Sequence, residues 1–109
     1  MTELLQLYEA EQGEPCEIKV KNEEGNPIDI SWAVPAESKI EVKDIDDNVI
    51  LTMTSSTFTI TTPNVIWTPT SAQLNTLTKE IVYTCFIHLT KLSTNRVKIA
   101  RFLLKKLNN

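Results

Sequence analysis

The sequence has few of the residues on which common catalytic motifs depend. Among its 109 residues are two glycines, two cysteines and one histidine. Gly13 and Gly25 stand alone, so the chain has no glycine-rich loop that cradles a phosphate group. The only histidine, His88, lies three residues after Cys85, and residues three apart on a strand point to opposite faces of a sheet. We therefore predict that the protein is not an enzyme and has no cofactor and no small-molecule substrate.

Charge and hydropathy exclude two further classes of protein. Acidic residues outnumber basic residues by 14 to 11, giving a net charge of −3, whereas binding to a nucleic-acid backbone needs a basic surface. No apolar run approaches the roughly 20 residues of a membrane-spanning helix. The N-terminus lacks the basic and apolar regions of a secretory signal. We predict no nucleic-acid or membrane partner, and we expect Cys16 and Cys85 to be free thiols in a reducing compartment.

Two groups of residues resemble ligand sites, but each has a simpler explanation. Asp44–Asn48 begins like a calcium loop, yet the positions of its glycine and its bidentate glutamate hold Val49 and Ser55. Asp and Asn are also common in hairpin turns, so we predict no metal site. Trp32 and Trp67 could stack on a sugar, although tryptophans in a small domain usually lie in the core. A carbohydrate- or receptor-binding module stays open as an alternative function.

The segment from Ile81 to Leu89 is the strongest strand signal in the chain. β-Branched and aromatic residues alternate there with period two, as a pleated strand requires. One face carries Ile81, Tyr83, Cys85, Ile87 and Leu89, and the other carries Val82, Thr84, Phe86 and His88. Because both faces contain apolar residues, we predict a central strand with other parts of the protein packed on each face.

The rest of the chain supplies further short strands separated by turns, at residues 16–21, 39–44, 49–53, 58–60, 65–67 and 97–104. In the last of them the apolar residues switch faces, which predicts a β-bulge near Ala100 or Arg101. Thr68 as N-cap and Pro69 at the first helical position predict one short helical turn before Ile81. Residues 1–12 are interpreted as an N-terminal arm or first strand, and residues 13–109 as one sandwich domain.

The predicted fold is all-β: an immunoglobulin-like antiparallel β-sandwich of about seven to eight strands with one short helical turn. Cys16, Trp32 and Tyr83-Thr84-Cys85 follow the order of the cysteine, tryptophan and Tyr-x-Cys residues of immunoglobulin domains. The residues before Tyr83 lack the Asp-x-Gly usual in those domains, and nothing indicates secretion. We therefore predict no disulfide between the two cysteines.

Several short motifs between residues 13 and 107 occur together in one viral family. Gly25-Asn26-Pro27-Ile28-Asp29-Ile30 is followed by a strand at residues 40–44, a hairpin, and the segment Val65–Leu74, which begins Val-Ile-Trp-Thr-Pro-Thr. In these motifs the chain resembles small structural domains of phages and prophages, and is similar to the N-terminal domain of upper baseplate proteins from phages of Gram-positive bacteria. Trp32 departs from the glycine usual in that family, and Arg101–Lys106 lacks the glycine of its last strand.

This resemblance implies an immunoglobulin-like sandwich without enzymatic activity. It implies a virion structural protein that docks on other virion proteins in many copies, as part of a tail, baseplate, neck or capsid surface. It also implies a location in the virion after assembly in the host cytoplasm.

The two ends of the chain are the expected places of partner contact. They carry more apolar side chains than a solvated tail or one buried strand face can hold. The candidate interface residues are Leu4, Leu5, Leu7, Tyr8, Phe102 and Leu103. The alternative is that the segment from Leu4 to Tyr8 is a first strand packed on the core of its own domain. Open edge strands also invite pairing from outside, which favours partner contact.

Overall fold

A computed structural model describes residues 5–22 and 24–107 of the chain. Eight strands form one five-stranded sheet, in the order β1-β8-β7-β3-β4, and one three-stranded sheet, in the order β2-β6-β5. The strands are β1 Leu7–Ala10, β2 Cys16–Lys19, β3 Lys39–Lys43, β4 Val49–Met53, β5 Phe58–Thr61, β6 Asn64–Trp67, β7 Val82–Lys91 and β8 Arg96–Lys106. The only α-helix in the described part is the single turn α1, Ser71–Leu74, and short 3-10 turns lie at Pro35–Glu37 and Leu92–Thr94.

The order of the strands is that of an immunoglobulin-like sandwich, which confirms the predicted fold. In that fold strands B, E and D share one sheet, while G, F, C and C′ share the other. Here β2-β6-β5 and β8-β7-β3-β4 occupy the same places. The pairings are antiparallel except that β1 runs parallel to β8. The Tyr83 hydroxyl accepts a hydrogen bond from the Thr78 amide at 2.7 Å, the contact that defines a tyrosine corner.

The inward side chains of both sheets form one hydrophobic core. Trp67 and Phe102 are its largest fully buried members. The Tyr8 ring meets the Phe102 ring edge-on at 5.7 Å, and the Trp67 indole N–H donates to Gln73 Oε1 at 3.0 Å. Among the described residues no buried side-chain polar atom lacks a hydrogen-bond partner. A single core of this kind ties the two sheets into one cooperative unit.

The helical turn α1 begins two residues later than the sequence pattern predicted. Thr70, not Thr68, is its N-cap, and Pro69 lies buried before the helix. The Thr70 hydroxyl accepts from the Gln73 amide at 3.1 Å, and Gln73 Oε1 accepts from the Thr70 amide at 3.1 Å. This reciprocal capping box needs a long polar side chain three residues after the cap. Thr68 has Ser71 at that position, so Thr70 is the better cap.

The predicted β-bulge near Ala100 or Arg101 is wrong. The ladder between β7 and β8 runs without interruption from the pair Val82–Lys105 to the pair Lys91–Arg96. Ala100 therefore faces the core along the same regular strand as Phe102 and Leu104, while Val97 and Ile99 point outward. The apolar residues switch faces along β8 because Val97 and Ile99 are exposed apolar residues, while the backbone stays regular. The register shift of this sheet lies between β3 and β4, at Val42 and Lys43.

Candidate docking surface

The outward side of β7 is open to solvent. β7 is a central strand, as predicted, with β8 on one side and β3 on the other. Its inward residues Tyr83, Cys85, Ile87 and Leu89 are all buried, whereas Ile81 precedes the strand and is 47% exposed. Its outward residue Val82 is 50% exposed. The prediction that something packs on each face is therefore wrong for the described residues, because only the inner face is covered.

The outer face of the five-stranded sheet is built from the outward side chains of its five strands, with Val49 and Thr52 of β4 beside Lys43 and Glu41 of β3. The registers place these residues in rows across the strands: Leu7, Leu103, Thr84 and Lys43 in one, Arg101, Phe86 and Glu41 in the next, and Ile99, His88 and Lys39 in the next. Val97 lies beyond that last row, beside Thr90. Aliphatic residues thus lie at both ends of the face, with Phe86 and polar residues between them.

The middle of the outer face is an ordered network of charged groups. Glu41 Oε1 lies 3.0 Å from His88 Nε2, and Glu41 Oε2 lies 3.2 Å from Lys39 Nζ. Partial burial acts to raise the pKa of Glu41, but its hydrogen bond and charge interaction with Lys39 and its contact with His88 outweigh that effect, so the pKa is lowered. Lys43 Nζ lies 4.7 Å from the centre of the Phe86 ring. These contacts hold the polar side chains in fixed positions.

Two of the candidate interface residues come together on this face. Leu7 is paired with Leu103 in the register of β1 and β8, and Leu7 is 46% exposed. Leu5 is partly buried, and Leu4 lies outside the described residues. Leu7 and Leu103 therefore extend the outer face at its β1 edge.

Of two other candidates, Phe102 belongs to the core and Tyr8 is partly buried against it. Phe102 is 1% exposed, and Tyr8 packs against it. Phe102 cannot contact a partner in the folded domain. The Tyr8 hydroxyl accepts from the Lys19 amide at 3.3 Å, and burial raises the pKa of Tyr8. The strand alternation explains this result, because even-numbered residues of β1 and β8 point inward.

Sequence reasoning missed the most exposed apolar residues. Val97 is 58% exposed, Ile99 is 50%, Leu92 is 64%, and Ile45 at the β3–β4 turn is 100%. For Val97 and Ile99, strict alternation along the strand was the available sequence signal. Phe102 and Leu104 are inward, so Val97 and Ile99 must be outward unless a bulge intervenes. For Ile45 the available sequence signal of exposure was its position between two aspartates in a predicted turn.

Trp32 does not offer an open stacking platform. Its ring is partly buried against the core, and the Arg96 guanidinium lies 4.2 Å from the ring centre. Asp29, whose pKa is lowered chiefly by a hydrogen bond from the Ser31 amide, also feels the charge of Arg96. Trp67 is fully buried. Neither tryptophan presents a free aromatic face of the kind that binds sugars.

The described residues contain no cluster with the chemistry of a metal or thiol site. No group of three His, Cys, Asp or Glu side chains is placed to hold a metal ion in that part of the chain. Cys16 and Cys85 are buried free thiols. Burial raises the pKa of Cys16 to about 11 and raises that of Cys85 further. Cys85 and His88 lie on opposite faces of β7, so they form no nucleophilic dyad.

No family model, no curated protein and no solved structure matches the chain. None of the helices in the described ranges has the length and apolar character needed to cross a membrane.

Proposed function

We propose that the protein is a structural docking module, a virion component of a phage that binds other virion proteins in many copies. The observation that carries the docking function is the uncovered outer face of the five-stranded sheet, with Val82, Val97 and Ile99 each at least half exposed. Apolar groups gathered on one face of a small soluble domain are typical of protein interaction sites. The virion assignment rests on the sequence motifs described above.

Docking works here by burial of the apolar ends of the face, with the charged network as the polar part of the interface. Burying apolar surface favours association by roughly 25 cal/mol per Å² before the entropy costs of binding are subtracted. The polar residues Lys39, Glu41 and His88 already satisfy one another. A partner that covers them need not supply a new charge, and it must match their shape and hydrogen bonds, which favours specificity.

A binding module for sugars has less support than docking. Its strongest candidate residue, Trp32, has one ring face occupied by Arg96. The half-exposed apolar residues on the outer face of the five-stranded sheet are aliphatic, and aliphatic side chains lack the flat π-surface on which sugar rings stack. The ring of Phe86, on the same face, lies beneath Lys43 Nζ at 4.7 Å.

The virion assignment is tested by mass spectrometry of purified phage particles from the strain that carries the gene. We expect the chain in the particles in many copies, at a constant ratio to the other structural proteins. Its presence in the lysate together with its absence from washed particles would overturn the assignment.

The docking face is tested by substitution in the same system. Val97→Asp introduces a charge on the outer face without touching the core, and Thr59→Asp introduces the same charge on the outer face of the three-stranded sheet. We expect the first variant to be folded and missing from particles, and the second to be incorporated normally. Normal incorporation of both would exclude this face.

A further inference from the structure

Three of the four edge strands of the sandwich have features that oppose pairing with another strand. β1 and β4 are the edges of the five-stranded sheet, and β2 and β5 are the edges of the three-stranded sheet. The Lys19 amide of β2 already donates to the Tyr8 hydroxyl. β1 carries the charged residue Glu9, and the ladder of β4 is irregular opposite Val42 and Lys43. Charges, bulges and occupied main-chain groups protect sheet edges from other chains.

The fourth edge strand, β5, has none of these features. Its residues Phe58–Thr61 contain no charge and no proline. They lie in the segment from Asn48 to Thr78, which has no charged residue. The ladder between β5 and β6 keeps one register along the whole strand. β5 is therefore a regular and uncharged edge, the kind of edge to which another extended strand can add.

The main-chain groups that β5 leaves free belong to Phe58 and Ile60. The Thr68 amide donates to the Thr57 carbonyl at 3.1 Å, which continues the register of β5 and β6. Hydrogen-bonded and non-hydrogen-bonded pairs alternate along an antiparallel ladder, so Phe58 and Ile60 turn their main-chain groups away from β6. Among the described residues, no turn or side-chain hydrogen bond reaches the main chain of either residue.

The ladder on the other side of β6 supports this assignment. The Val20 amide donates to the Pro63 carbonyl at 2.9 Å, which continues the register of β2 and β6. By the same alternation, Val65 and Trp67 turn their main-chain groups toward β2. These two residues are the β6 neighbours of the two free positions in β5. Those positions of β5 therefore direct their amides and carbonyls to the open edge.

The sequence of this edge is complementary to itself. Thr57-Phe58-Thr59-Ile60-Thr61 alternates threonine with apolar residues when it is read in either direction. In two antiparallel copies related by a two-fold axis through Thr59, Phe58 of one copy lies opposite Ile60 of the other, and each such pair exchanges both of its main-chain hydrogen bonds. Thr59 then faces Thr59 of the second copy. Threonine pairs and aromatic–β-branched pairs both stabilise sheets, and no like charges meet.

We propose that β5 binds β5 of a second copy of this chain, so that two three-stranded sheets join into one continuous antiparallel sheet. Ile60, which is partly buried against its own core, gains cover from Phe58 of the second copy. The same surface is used on both copies, so the contact closes as a dimer. It leaves the outer face of the five-stranded sheet free and does not depend on the docking function proposed above.

The test is sedimentation velocity of the purified full chain from low micromolar to millimolar concentration. The contact is small, so we expect a dimer that forms toward millimolar concentration and dissociates on dilution. Thr59 is exposed, and Thr59→Asp puts two carboxylates opposite each other at the two-fold axis. We expect this change to weaken the dimer about tenfold or more. Thr52→Asp, the matched control, puts the same charge at an exposed position of edge strand β4 and should leave the dimer unchanged.

A charge swap at the same position tests the two-fold axis directly. Thr59→Lys should weaken the dimer as Thr59→Asp does, because each variant places its own charge against the same charge in its copy. An equimolar mixture of the two variants places opposite charges together. The mixture should therefore form one-to-one dimers, and raised salt should weaken them. In the wild type at millimolar concentration, the Phe58 and Ile60 amides should exchange with solvent more slowly than in the Thr59→Asp chain.

Three outcomes would each overturn the proposal: a wild type that stays monomeric at millimolar concentration, a mixture of the Thr59 variants that forms no dimer, or equal weakening by Thr52→Asp. Incorporation into phage particles separates this contact from the docking face. The Thr59→Asp chain should be unpaired in solution and present in particles, whereas the Val97→Asp chain should be paired and absent from particles. Failure of either proposal would thus leave the other standing.

Discussion

The outer faces of the two sheets differ in what they leave in contact with water. On the three-stranded sheet the outward residues are polar except for one isoleucine: Glu17, Lys19, Thr59, Thr61, Asn64 and Ile66. On the five-stranded sheet three outward aliphatic residues, Val82, Val97 and Ile99, are at least half exposed. An antiparallel sheet with one solvated face normally alternates between apolar inward and polar outward residues. The three-stranded sheet follows that rule, and the five-stranded sheet departs from it where we propose docking.

The two sheets also differ in whether their outward polar residues are charged or neutral. The chain has no charged residue from Asn48 to Thr78, the segment that contains β4, β5, β6 and α1. The outer face of the three-stranded sheet is therefore neutral over β5 and β6. Lys39–Glu41, Lys43–Asp47 and His88–Glu41 are ion pairs that each involve a residue of β3. Exposed aliphatic groups gathered on one face are typical of interaction sites, whereas threonine and asparagine suit a face that stays in water.

The inner faces of the two sheets should behave alike, because they share one core. Substitutions there should have the largest effect on the free energy of unfolding. Trp67 of the three-stranded sheet and Phe102 of the five-stranded sheet are both buried in one core. We expect Trp67→Ala and Phe102→Ala each to lower the free energy of unfolding by about 3–5 kcal/mol, measured by chemical denaturation. Unfolding in two separate transitions, one for each sheet, would contradict the single core.

The two thiols provide a second comparison across the core. Cys16 belongs to the three-stranded sheet and Cys85 to the five-stranded sheet, and burial raises both pKa values. With the pKa of Cys16 near 11 instead of 9.0, its thiolate fraction at mildly alkaline pH falls about a hundredfold. We expect a thiol reagent to label the native protein very slowly, and Cys85 more slowly than Cys16. In denaturant without reductant, both cysteines should be labelled rapidly. Absence of labelling in denaturant would reveal a disulfide.

The charged network of the five-stranded sheet should give it a pH dependence that the neutral sheet lacks. The folded-state pKa of Glu41 is lowered from 4.5, so its contribution to stability is present above that pH and is lost as pH falls through the folded-state value. We expect Glu41→Gln to cost on the order of 1 kcal/mol near neutral pH and less in acid. Thr61→Val on the three-stranded sheet is the control. A constant cost of Glu41→Gln at every pH would exclude this linkage.

The smallest expected effect concerns His88, which lies in the same network. His88→Gln keeps a side chain that can hydrogen-bond to Glu41, so we expect a loss in the free energy of unfolding of roughly 1 kcal/mol or less. Assembly should change only through stability. The measurement is thermal unfolding together with sedimentation of the variant. Abolition of an activity of the folded variant would instead show that His88 has a chemical role and would end the prediction that the protein is not an enzyme.

Much of the fold follows from local patterns. The alternation of Cys16, Ile18 and Val20 and of Ile40 and Val42 predicted strands whose inward residues are all buried. The Ile81–Leu89 pattern predicted the central strand. Alternation is reliable here because a one-residue slip would move a whole buried set into water. The start of α1 was misjudged, because Thr68 and Thr70 are both candidates for the cap and only the position of Gln73 distinguishes them.

Only some of the predicted interface residues lie on the surface that we propose for docking. Leu7 and Leu103 were named from the excess of apolar residues at the two ends of the chain, and the structure places them side by side. Tyr8 and Phe102 were named by the same reasoning, but Phe102 lies in the core and Tyr8 packs against it. Composition counts apolar side chains near a terminus, but the direction of each one depends on the strand with which it pairs.

The sequence by itself determined which residues alternate, where the chain turns and that the protein is an all-β sandwich, because these depend on neighbours within a few residues. Only the tertiary structure decided that no described residue covers the outer face of β7, that Arg96 lies over the ring of Trp32, and that Val97 and Ile99 stay exposed. Those facts depend on contacts between residues far apart in the chain. A repeating pattern shows that a side chain is apolar, but it does not show which residues cover that side chain.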